Sequence, residues 1–350
     1  MKFIIDQKPF LEGIQLASRA ITGNDPVLSS IYIEANDRLM LTGSDTEKTI
    51  KTSIDARITE RGTALLPAKT LADVVKRIKG DVEVSMGAGK LDITAGSAKF
   101  EILTINEEYP VQAIEEKEFI LRIEKEKLHA LINKGGIATA KDGYRAILNA
   151  VYLDFNGLKV VSTDGHRMAL YEDGTEGPDK NFIIPVKSIM LLTNFDTVDV
   201  YTTGKQIMFE SDETTLTSSL VAGSYLPYEK IIPTEFVCEI EVEKDNLLPA
   251  LERARVCSDT CVKFVVDDYL NIFAQGPEVG KMEEEVTATI KGKGIEVQFN
   301  PVYLIEGLRA MDVGSMEIKL SGTNSAALIT DNENFNYIIM PIVTREPSTL

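Results

Sequence analysis

One pattern of strands and helices occurs three times along this 350-residue chain, at a spacing of roughly 116 residues, and it constrains the fold most. Each copy has a short strand, a helix, further strands, a second helix and a closing pair that ends in proline. The second helices begin within the segments 64–78, 182–195 and 297–311. The closing pairs are Tyr109-Pro110, Leu226-Pro227 and Met340-Pro341. Repeated units of this kind usually form a surface rather than one catalytic pocket.

The three copies predict three domains of the α+β class, with boundaries at 1–117, 118–236 and 237–350. Each copy is predicted to contain two helices and about eight antiparallel strands, with the helices on one face of the sheets. The linkers between the copies are short, which favours rigid packing of neighbouring domains.

The composition predicts a cytoplasmic protein without a metal or cofactor. No run of about 18 apolar residues is present, and the N-terminal segment lacks the apolar stretch of a signal peptide. Three cysteines cannot all pair with one another, which is typical of a reducing compartment. Cys257 and Cys261 are four residues apart, but the two histidines lie far from them in sequence, so buried thiols are favoured over a zinc site.

The net charge of −17 argues against nucleic-acid binding when it is taken alone. Two predicted helical segments, 67–80 and 124–141, nevertheless carry an excess of lysine and arginine. A basic helix in an acidic protein suggests a face directed at a polyanion. The alternative is an ordinary solvated helix face, and the charges do not decide between them.

Several motifs are similar to those of bacterial sliding clamps, the beta subunits of DNA polymerase III. The most specific is Thr163-Asp164-Gly165-His166-Arg167-Met168-Ala169. Others span 226–233 (one residue shorter than the family pattern), 299–303 and 337–342, and the stretch from Tyr144-Arg145 to Leu148-Asn149 also matches. The resemblance covers nearly the whole chain, with the three units in the expected order.

The resemblance implies a head-to-tail homodimer closed into a six-domain ring, with twelve helices lining the hole and sheets outside. Such a ring encircles double-stranded DNA without sequence preference and performs no catalysis. The implied partners are the DNA polymerase III alpha subunit, the clamp loader, and repair and translesion polymerases. They would dock through short peptides that carry glutamine and bulky apolar residues.

The resemblance also implies three sets of site residues. Lys69, Lys76 and Lys187 match basic positions of the inner surface and Arg145 lies nearby, although Ala146 and Ile147 replace frequent aromatics there. Helix position adds Lys134, Lys141, Arg253 and Arg309 as DNA-contact candidates. The implied peptide groove consists of Leu148, Thr163, Gly165, His166, Arg167, Met168, Pro227, Ile231, Tyr303, Ile338, Met340, Pro341 and Ile342. Without the resemblance, these mostly apolar residues would be interpreted as a core at a domain boundary.

Ring closure is predicted to join the third repeat of one copy to the first repeat of the other. The acidic residues Glu278 and Glu283 to Glu285 would face basic residues such as Lys69 or Lys99, and Val256 and Cys257 would lie at apolar interface positions. An acidic run can also be simply solvated. A head-to-tail contact that closes after two subunits gives a ring.

Two other functional classes are considered. An enzyme would have to use Asp164 and His166 with Ser162 or Thr163, but catalytic triads converge from separate segments. These residues are expected on one strand, where alternate side chains point to opposite faces. An acidic scaffold that mimics DNA conflicts with the lysines of 67–80. The tail 343–350 exceeds the family's usual ending and would compete with peptides if it covered the groove.

Overall fold

The computed structural model describes residues 1–23, 25–110, 116–141 and 145–343. Tyr144, most of the first predicted linker and the tail from residue 344 lie outside the described residues. The helices are α1 Gln7–Ser18, α2 Ala68–Val75, α3 Lys125–Gly135, α4 Val186–Ile189, α5 Lys244–Cys257 and α6 Pro301–Ala310. Short 3-10 helices span Ala146–Asn149, Met190–Asn194 and Tyr228–Lys230.

The described residues form twenty-six strands, and each repeat contributes eight to nine of them. Those of the first repeat are β1 Lys2–Asp6, β2 Ser30–Ala35, β3 Leu39–Ser44, β4 Lys48–Ile54, β5 Arg57–Glu60, β6 Gly62–Pro67, β7 Asp81–Met86, β8 Lys90–Ala95 and β9 Ala98–Leu103. Those of the second are β10 Glu118–Ile123, β11 Ala150–Asp154, β12 Gly157–Thr163, β13 Arg167–Thr175, β14 Asn181–Pro185, β15 Val198–Thr202, β16 Gln206–Glu210 and β17 Thr214–Ser219. Those of the third are β18 Cys238–Glu243, β19 Val262–Val266, β20 Leu270–Gly276, β21 Gly280–Val286, β22 Ala288–Gly292, β23 Ile295–Phe299, β24 Ser315–Leu320, β25 Ala327–Thr330 and β26 Phe335–Ile339.

The described residues form two compact units, each with two antiparallel sheets. The described residues of the first unit lie within 1–128 and 187–220, and those of the second lie within 129–186 and 221–343. The sheets of the first unit have the strand orders β5-β1-β7-β8-β9 and β10-β15-β16-β17-β4-β3-β2-β6. Those of the second have the orders β14-β11-β12-β13-β26-β25-β24-β18-β22 and β21-β20-β19-β23.

Consecutive repeats share a sheet, because the last strand of one repeat pairs with the fourth strand of the repeat before it. We call these pairings joints. At the first joint β4 pairs with β17, and Ile50 lies opposite Leu216. At the second joint β13 pairs with β26, and Ala169 lies opposite Tyr337. The predicted α+β architecture of three similar copies is confirmed, whereas the exact domain boundaries stay a prediction.

The helices follow local sequence rules. In α1, Phe10, Ile14 and Ala17 recur on one buried face, and the side chain of Asp6 accepts a hydrogen bond from the Lys8 N–H (3.0 Å) to cap the N-terminus. Helix α5 begins at Lys244 without a side-chain cap, and Pro249 is its sixth residue.

The second repeat departs from the predicted two full helices. Its second helix consists of only four residues, α4, followed directly by the 3-10 helix Met190–Asn194. Among its described residues, the second repeat also has no strand equivalent to β5, which pairs with β1, or to β22, which pairs with β18. Within the described residues, no helix is long and apolar enough to cross a membrane.

All three cysteines are free thiols. Cys238 is buried, whereas Cys257 and Cys261 are half-buried, and the Cys261 thiol donates to Gln298 Oε1 (3.1 Å). The expectation of buried thiols is therefore met fully only by Cys238. No cluster of three potential metal ligands occurs in the part of the chain that the structure describes.

Candidate partner-binding site

The turn between β12 and β13 is held by a closed set of hydrogen bonds. Thr163 Oγ1 donates to the Arg167 carbonyl (2.6 Å) and accepts from the Gly165 N–H (3.1 Å). Asp164 Oδ1 accepts from the backbone N–H groups of His166 (2.9 Å) and Arg167 (3.0 Å). Gly165 has a φ of 90°, a left-handed conformation that favours glycine. The motif that carries the family resemblance therefore specifies a rigid turn.

Arg167 joins this turn to helix α6. Its Nε donates to Asp164 Oδ2 (3.0 Å), and its terminal nitrogen binds Glu306 and the Tyr337 hydroxyl (3.2 Å). The guanidinium also lies 4.2 Å from the centre of the Tyr303 ring, within cation–π distance. Burial alone would lower the pKa of Arg167, but Tyr337 and Glu306 outweigh it and raise the pKa above its ordinary value. Arg167 thus stays charged and fixes the position of Tyr303.

An apolar cluster occupies the opposite face of the same sheet. Met168 on β13 lies opposite Ile338 on β26, and both are 2% exposed. Tyr228, from the segment that follows β17, packs onto them. The other members are Val161, Leu170 and Leu328, with partly buried Tyr152, Tyr225, Ile232, Phe236 and Ala326 at the margin. Ile231, which follows the 3-10 helix of Tyr228, and Met340, which follows β26, are each 42% exposed, so two apolar side chains next to members of the cluster in sequence face solvent.

The structure brings most of the predicted groove residues together. Thr163, Gly165, His166, Arg167, Met168, Ile338 and Met340 lie on the β12–β13 turn or on the neighbouring end of β26. The Met340 N–H donates to the His166 carbonyl (2.8 Å), and Tyr303 joins them through Arg167. Pro341 is buried just beyond β26, and the Ile342 N–H donates to the Gln298 carbonyl (2.8 Å).

Three predicted residues are connected less directly. Pro227 and Ile231 flank the 3-10 helix that contains Tyr228, one of the cluster's buried members. Leu148 lies in the 3-10 helix before β11, where its N–H donates to the Arg145 carbonyl (2.9 Å).

Sequence reasoning missed the aromatic wall formed by Tyr152, Tyr225 and Tyr228. The rings of Tyr152 and Tyr225 stack with centres 5.2 Å apart, and Tyr228 lies 5.8 Å from Tyr152. The signal was a cluster of aromatic residues in the segment 225–236. Burial raises the pKa of all three tyrosines, so they remain neutral at physiological pH.

The predicted DNA-contact residues divide into exposed side chains and side chains that form ion pairs within the chain. Lys69, Lys76, Lys187, Lys141 and Arg145 are all exposed. Within the described residues, Lys69, Lys76 and Lys187 form no ion pair.

Three weaker candidates are engaged within the chain. Lys134 was expected on the surface but is 6% exposed, with its ammonium 3.3 Å from Asp312 Oδ2, so that expectation was wrong. Arg253 binds Glu284 (Nε to Oε2, 2.9 Å), and Arg309 binds Glu252 (2.7 Å). Their charges are largely compensated before any polyanion approaches.

The predicted dimer-interface residues lie at the surface. Val256 is 69% exposed near the end of α5, and Cys257 next to it is half-buried. Glu278 and Glu283 are exposed, as is Lys99 on β9. Glu284 is half-buried, and the hydrogen bond from Arg253 lowers the pKa of its carboxyl. The partners of these residues in a second copy stay a prediction.

The residues considered for catalysis have structural roles. Ser162 Oγ accepts from the Ala138 N–H (3.2 Å), and Thr163 Oγ1 donates to a backbone carbonyl of the turn. Asp164 binds backbone N–H groups and Arg167 rather than the imidazole of His166.

Comparison with known proteins gives one consistent result. Residues 1–113, 122–227 and 229–343 match the profiles of the N-terminal, central and C-terminal domains of the DNA polymerase III beta subunit. The beta sliding clamp of Synechococcus elongatus is 29% identical over 374 residues, covering 99% of this chain and 100% of the relative. That of Pseudomonas aeruginosa is also 29% identical, over 365 residues, covering 98% and 100%.

Solved structures agree with the sequence comparison. The DNA polymerase sliding clamp from Pseudomonas aeruginosa superposes with a TM-score of 0.93 at 27% identity, covering 98% of this chain and 100% of that chain. The clamp from Bacillus subtilis gives 0.92 at 26% identity, covering 99% and 100%. The chain therefore belongs to the DNA polymerase III beta subunit family, which confirms its predicted fold and its role as a non-catalytic sliding clamp of DNA replication.

Proposed function

We propose that two copies of this chain join head to tail into a ring that encircles duplex DNA. The ring tethers DNA polymerase III and other partners, whose short peptides dock at the turn Thr163–Arg167 and the adjoining apolar cluster. Partners include the alpha subunit, the clamp loader and repair or translesion polymerases, and the ring works in the cytoplasm.

Two unpaired sheet edges are the observation that carries the ring proposal. Among the described residues, β9 and β21 each lie at the edge of their sheet. β9 is the last strand of its repeat, as β17 and β26 are, whereas β21 is a fourth strand, as β4 and β13 are. The two internal joints use two fourth strands and two last strands. The remaining fourth strand, β21, and the remaining last strand, β9, have no such partner within the chain. Pairing these strands between copies repeats the existing joint and produces a head-to-tail assembly.

The charge distribution supports DNA passing through such a ring. The exposed lysines of α2 and its C-terminal flank, Lys69, Lys76 and Lys79, form no ion pair among the described residues, although the protein carries a net charge of −17. Long flexible cations bind phosphates without reading sequence, which permits sliding. The acidic remainder of the protein repels DNA elsewhere.

The apolar cluster supports peptide docking. Methionines adapt to different apolar partners, and Met340 and Ile231 present such side chains to solvent. His166 and Gly165 are exposed next to Met340 and add a polar edge to this apolar surface. An apolar surface with a polar edge suits a short extended peptide.

Retention on DNA of different topology tests the proposal. The protein is loaded onto nicked circular DNA by a clamp loader, and the DNA is then cut at one site. We expect stable retention on circles and rapid loss after linearisation, with a variant in which Lys69 and Lys76 are glutamine loading more weakly. Equal loss rates before and after cutting would indicate ordinary surface binding, and failure of the protein to bind DNA in either form would favour an acidic scaffold.

A further inference from the structure

We propose that the two copies pair in a single register, in which Glu283 faces Lys99 of the second copy and Lys281 faces its Glu101. This inference rests on the proposed ring and adds the two charge pairs that would select the register of its strands. Lys281 and Glu101 are new as interface residues, because neither the sequence motifs nor the acidic run indicated them.

The two joints inside the chain determine the register. The turn that precedes the fourth strand ends at Lys48 in the first joint and at Arg167 in the second. Four residues later, Thr52 lies opposite Thr214 and Tyr171 lies opposite Phe335. Thr214 and Phe335 are each the first residue of the last strand of their repeat. The two joints therefore obey the same counting rule.

The same counting rule applied to the edge strands β21 and β9 gives the register of the joint between copies, which we call the third joint. The turn before β21 ends at Gly280, which pairs with Gly276, and four residues later comes Glu284. The first residue of β9 is Ala98. Glu284 therefore lies opposite Ala98 of the second copy. Antiparallel pairing then places residue 283 opposite 99 and residue 281 opposite 101.

The facing side chains lie on the same side of the extended sheet. Glu284 bonds to Arg253 on α5, so it points toward the helices, and its neighbours Glu283 and Lys281 point away from them. On β9, Ile102 is buried, whereas Lys99 and Glu101 are exposed on the other face. Each proposed pair thus brings opposite charges together across neighbouring strands, a stabilising arrangement. Glu101 already binds Lys90 of its own chain (2.6 Å), so Lys281 would be its second cationic partner.

The charges also disfavour other registers. A shift of two residues in one direction would place Glu283 opposite Glu101, although Glu285 would then face Lys99. The reverse shift would place Lys281 opposite Lys99. A shift of one residue would turn every side chain to the wrong face. In the proposed register the exposed Val279 and Leu103 also lie opposite each other; they are 55% and 76% exposed in the single chain.

The two internal joints have no such opposite-charge pairs at the equivalent positions. The equivalents of the two charge pairs are Lys51 with Thr215 and Thr49 with Thr217 at the first joint. At the second joint they are Leu170 with Asn336 and Met168 with Ile338. Covalent connection aligns those strands, whereas separate copies must find their register by diffusion. Charge complementarity at the third joint supplies that selection.

Zero-length cross-linking of the native protein tests the register. A mixture of isotopically light and heavy protein is treated with a carbodiimide, which joins amines to carboxylates in direct contact. We expect mixed-isotope links between Lys99 and Glu283 and between Lys281 and Glu101. Mixed links from Lys99 to Glu285, or none involving β9 and β21 in a protein that is dimeric, would overturn the register while leaving the ring intact.

Charge exchange provides a second test that does not depend on chemical yield. Glu283→Lys and Lys99→Glu should each weaken dimerisation by about fivefold per joint, and so by about 25-fold in a ring with two joints. The double variant should recover most of the loss, as should Lys281→Glu combined with Glu101→Lys. Absence of recovery in both double variants would overturn the register. A wild-type protein that is monomeric at all concentrations in light scattering would instead overturn the ring.

Discussion

The first and second joints contain the same turn built from different residues. Ser44 Oγ donates to the Lys48 carbonyl (3.1 Å), as Thr163 Oγ1 does to that of Arg167. Asp45 Oδ1 accepts from the N–H groups of Glu47 and Lys48, and Lys48 binds the Asp45 carboxylate. Each turn also contacts the residue that ends or follows the last strand of the next repeat in the same way. The Ser219 N–H donates to the Glu47 carbonyl (2.8 Å), as the Met340 N–H donates to the His166 carbonyl.

The side chains around the two turns differ in chemistry. Thr49, Thr217 and Ser219 at the first joint replace Met168, Ile338 and Met340 at the second. Hydroxyl groups thus occupy the positions that form the apolar cluster and its rim. The comparison shows that the backbone frame recurs at both joints and that the side chains around it differ. The proposed peptide groove depends on the side chains of the second joint.

Removal of the buried arginine is expected to have the largest effect. Arg167→Ala removes the cation that Asp164, Glu306 and the Tyr337 hydroxyl share and should cost about 3–5 kcal/mol of local stability. Lys48→Ala, the matched change at the first joint, removes the partner of one carboxylate only and should cost less. Site-resolved hydrogen exchange of β13 and β4 in denaturant measures both. Equal losses would mean that the two turns are energetically equivalent.

Exchange of the equivalent residues Met340 and Ser219 should affect peptide binding at the second joint only. Met340→Ser is expected to weaken binding of a short peptide with glutamine and bulky apolar residues by about tenfold or more, because apolar burial is lost. Ser219→Met at the first joint should leave affinity unchanged. Fluorescence anisotropy with a labelled peptide measures both variants. An unaffected Met340→Ser protein would place the peptide elsewhere.

The sequence marked the second turn as a motif but did not mark its counterpart. Ser162 to His166 were expected on one strand, whereas Asp164 to His166 form the turn between β12 and β13. Thr163-Asp164-Gly165-His166-Arg167 was recognisable as a motif, whereas Ser44 to Lys48 preserves only the hydroxyl, the aspartate and the final cation. Hydrogen bonds to backbone atoms need few specific side chains, so the same turn can form from sequences that look unrelated.

Other features depended on tertiary packing that the sequence does not encode locally. Lys134 has the spacing of a surface helix residue, yet packing beside Asp312 and Asp331 buries it. The joints themselves were missed, because strand pairing between repeats is a long-range property. The strand alternation was predicted well, since it arises from local periodicity.

Backbone conformation offers a smaller test of the comparison. Thr46 has a φ of 75° at the position where Gly165 has 90°. Thr46→Gly should therefore relieve about 1 kcal/mol of strain, and Gly165→Thr should introduce a similar amount. Thermal unfolding measures both variants, and a destabilised Thr46→Gly protein would show that side-chain contacts of Thr46 outweigh the strain.

The smallest expected effect is a pH dependence at the first joint. Burial disfavours the charged form of Asp45, but hydrogen bonds from Lys48 and Thr22 outweigh it and lower the pKa below 3.8. A depressed pKa means that the carboxylate stabilises the fold above about pH 4 and that this contribution is lost as the pH falls further. Asp45→Asn should therefore lose less stability than the wild type between pH 5 and about pH 2, measured by thermal unfolding. An identical loss would show that Asp45 is not the titrating group.

The central claim is that one joint is used three times, twice within the chain and once between copies. Hydrogen exchange measured above and below the dissociation concentration tests it most directly. The outer amides of β9 and β21 should be protected only in the concentrated sample, whereas those of β4, β17, β13 and β26 should be protected in both. Equally fast exchange of β9 and β21 at both concentrations, in a sample shown to be dimeric when concentrated, would contradict the claim.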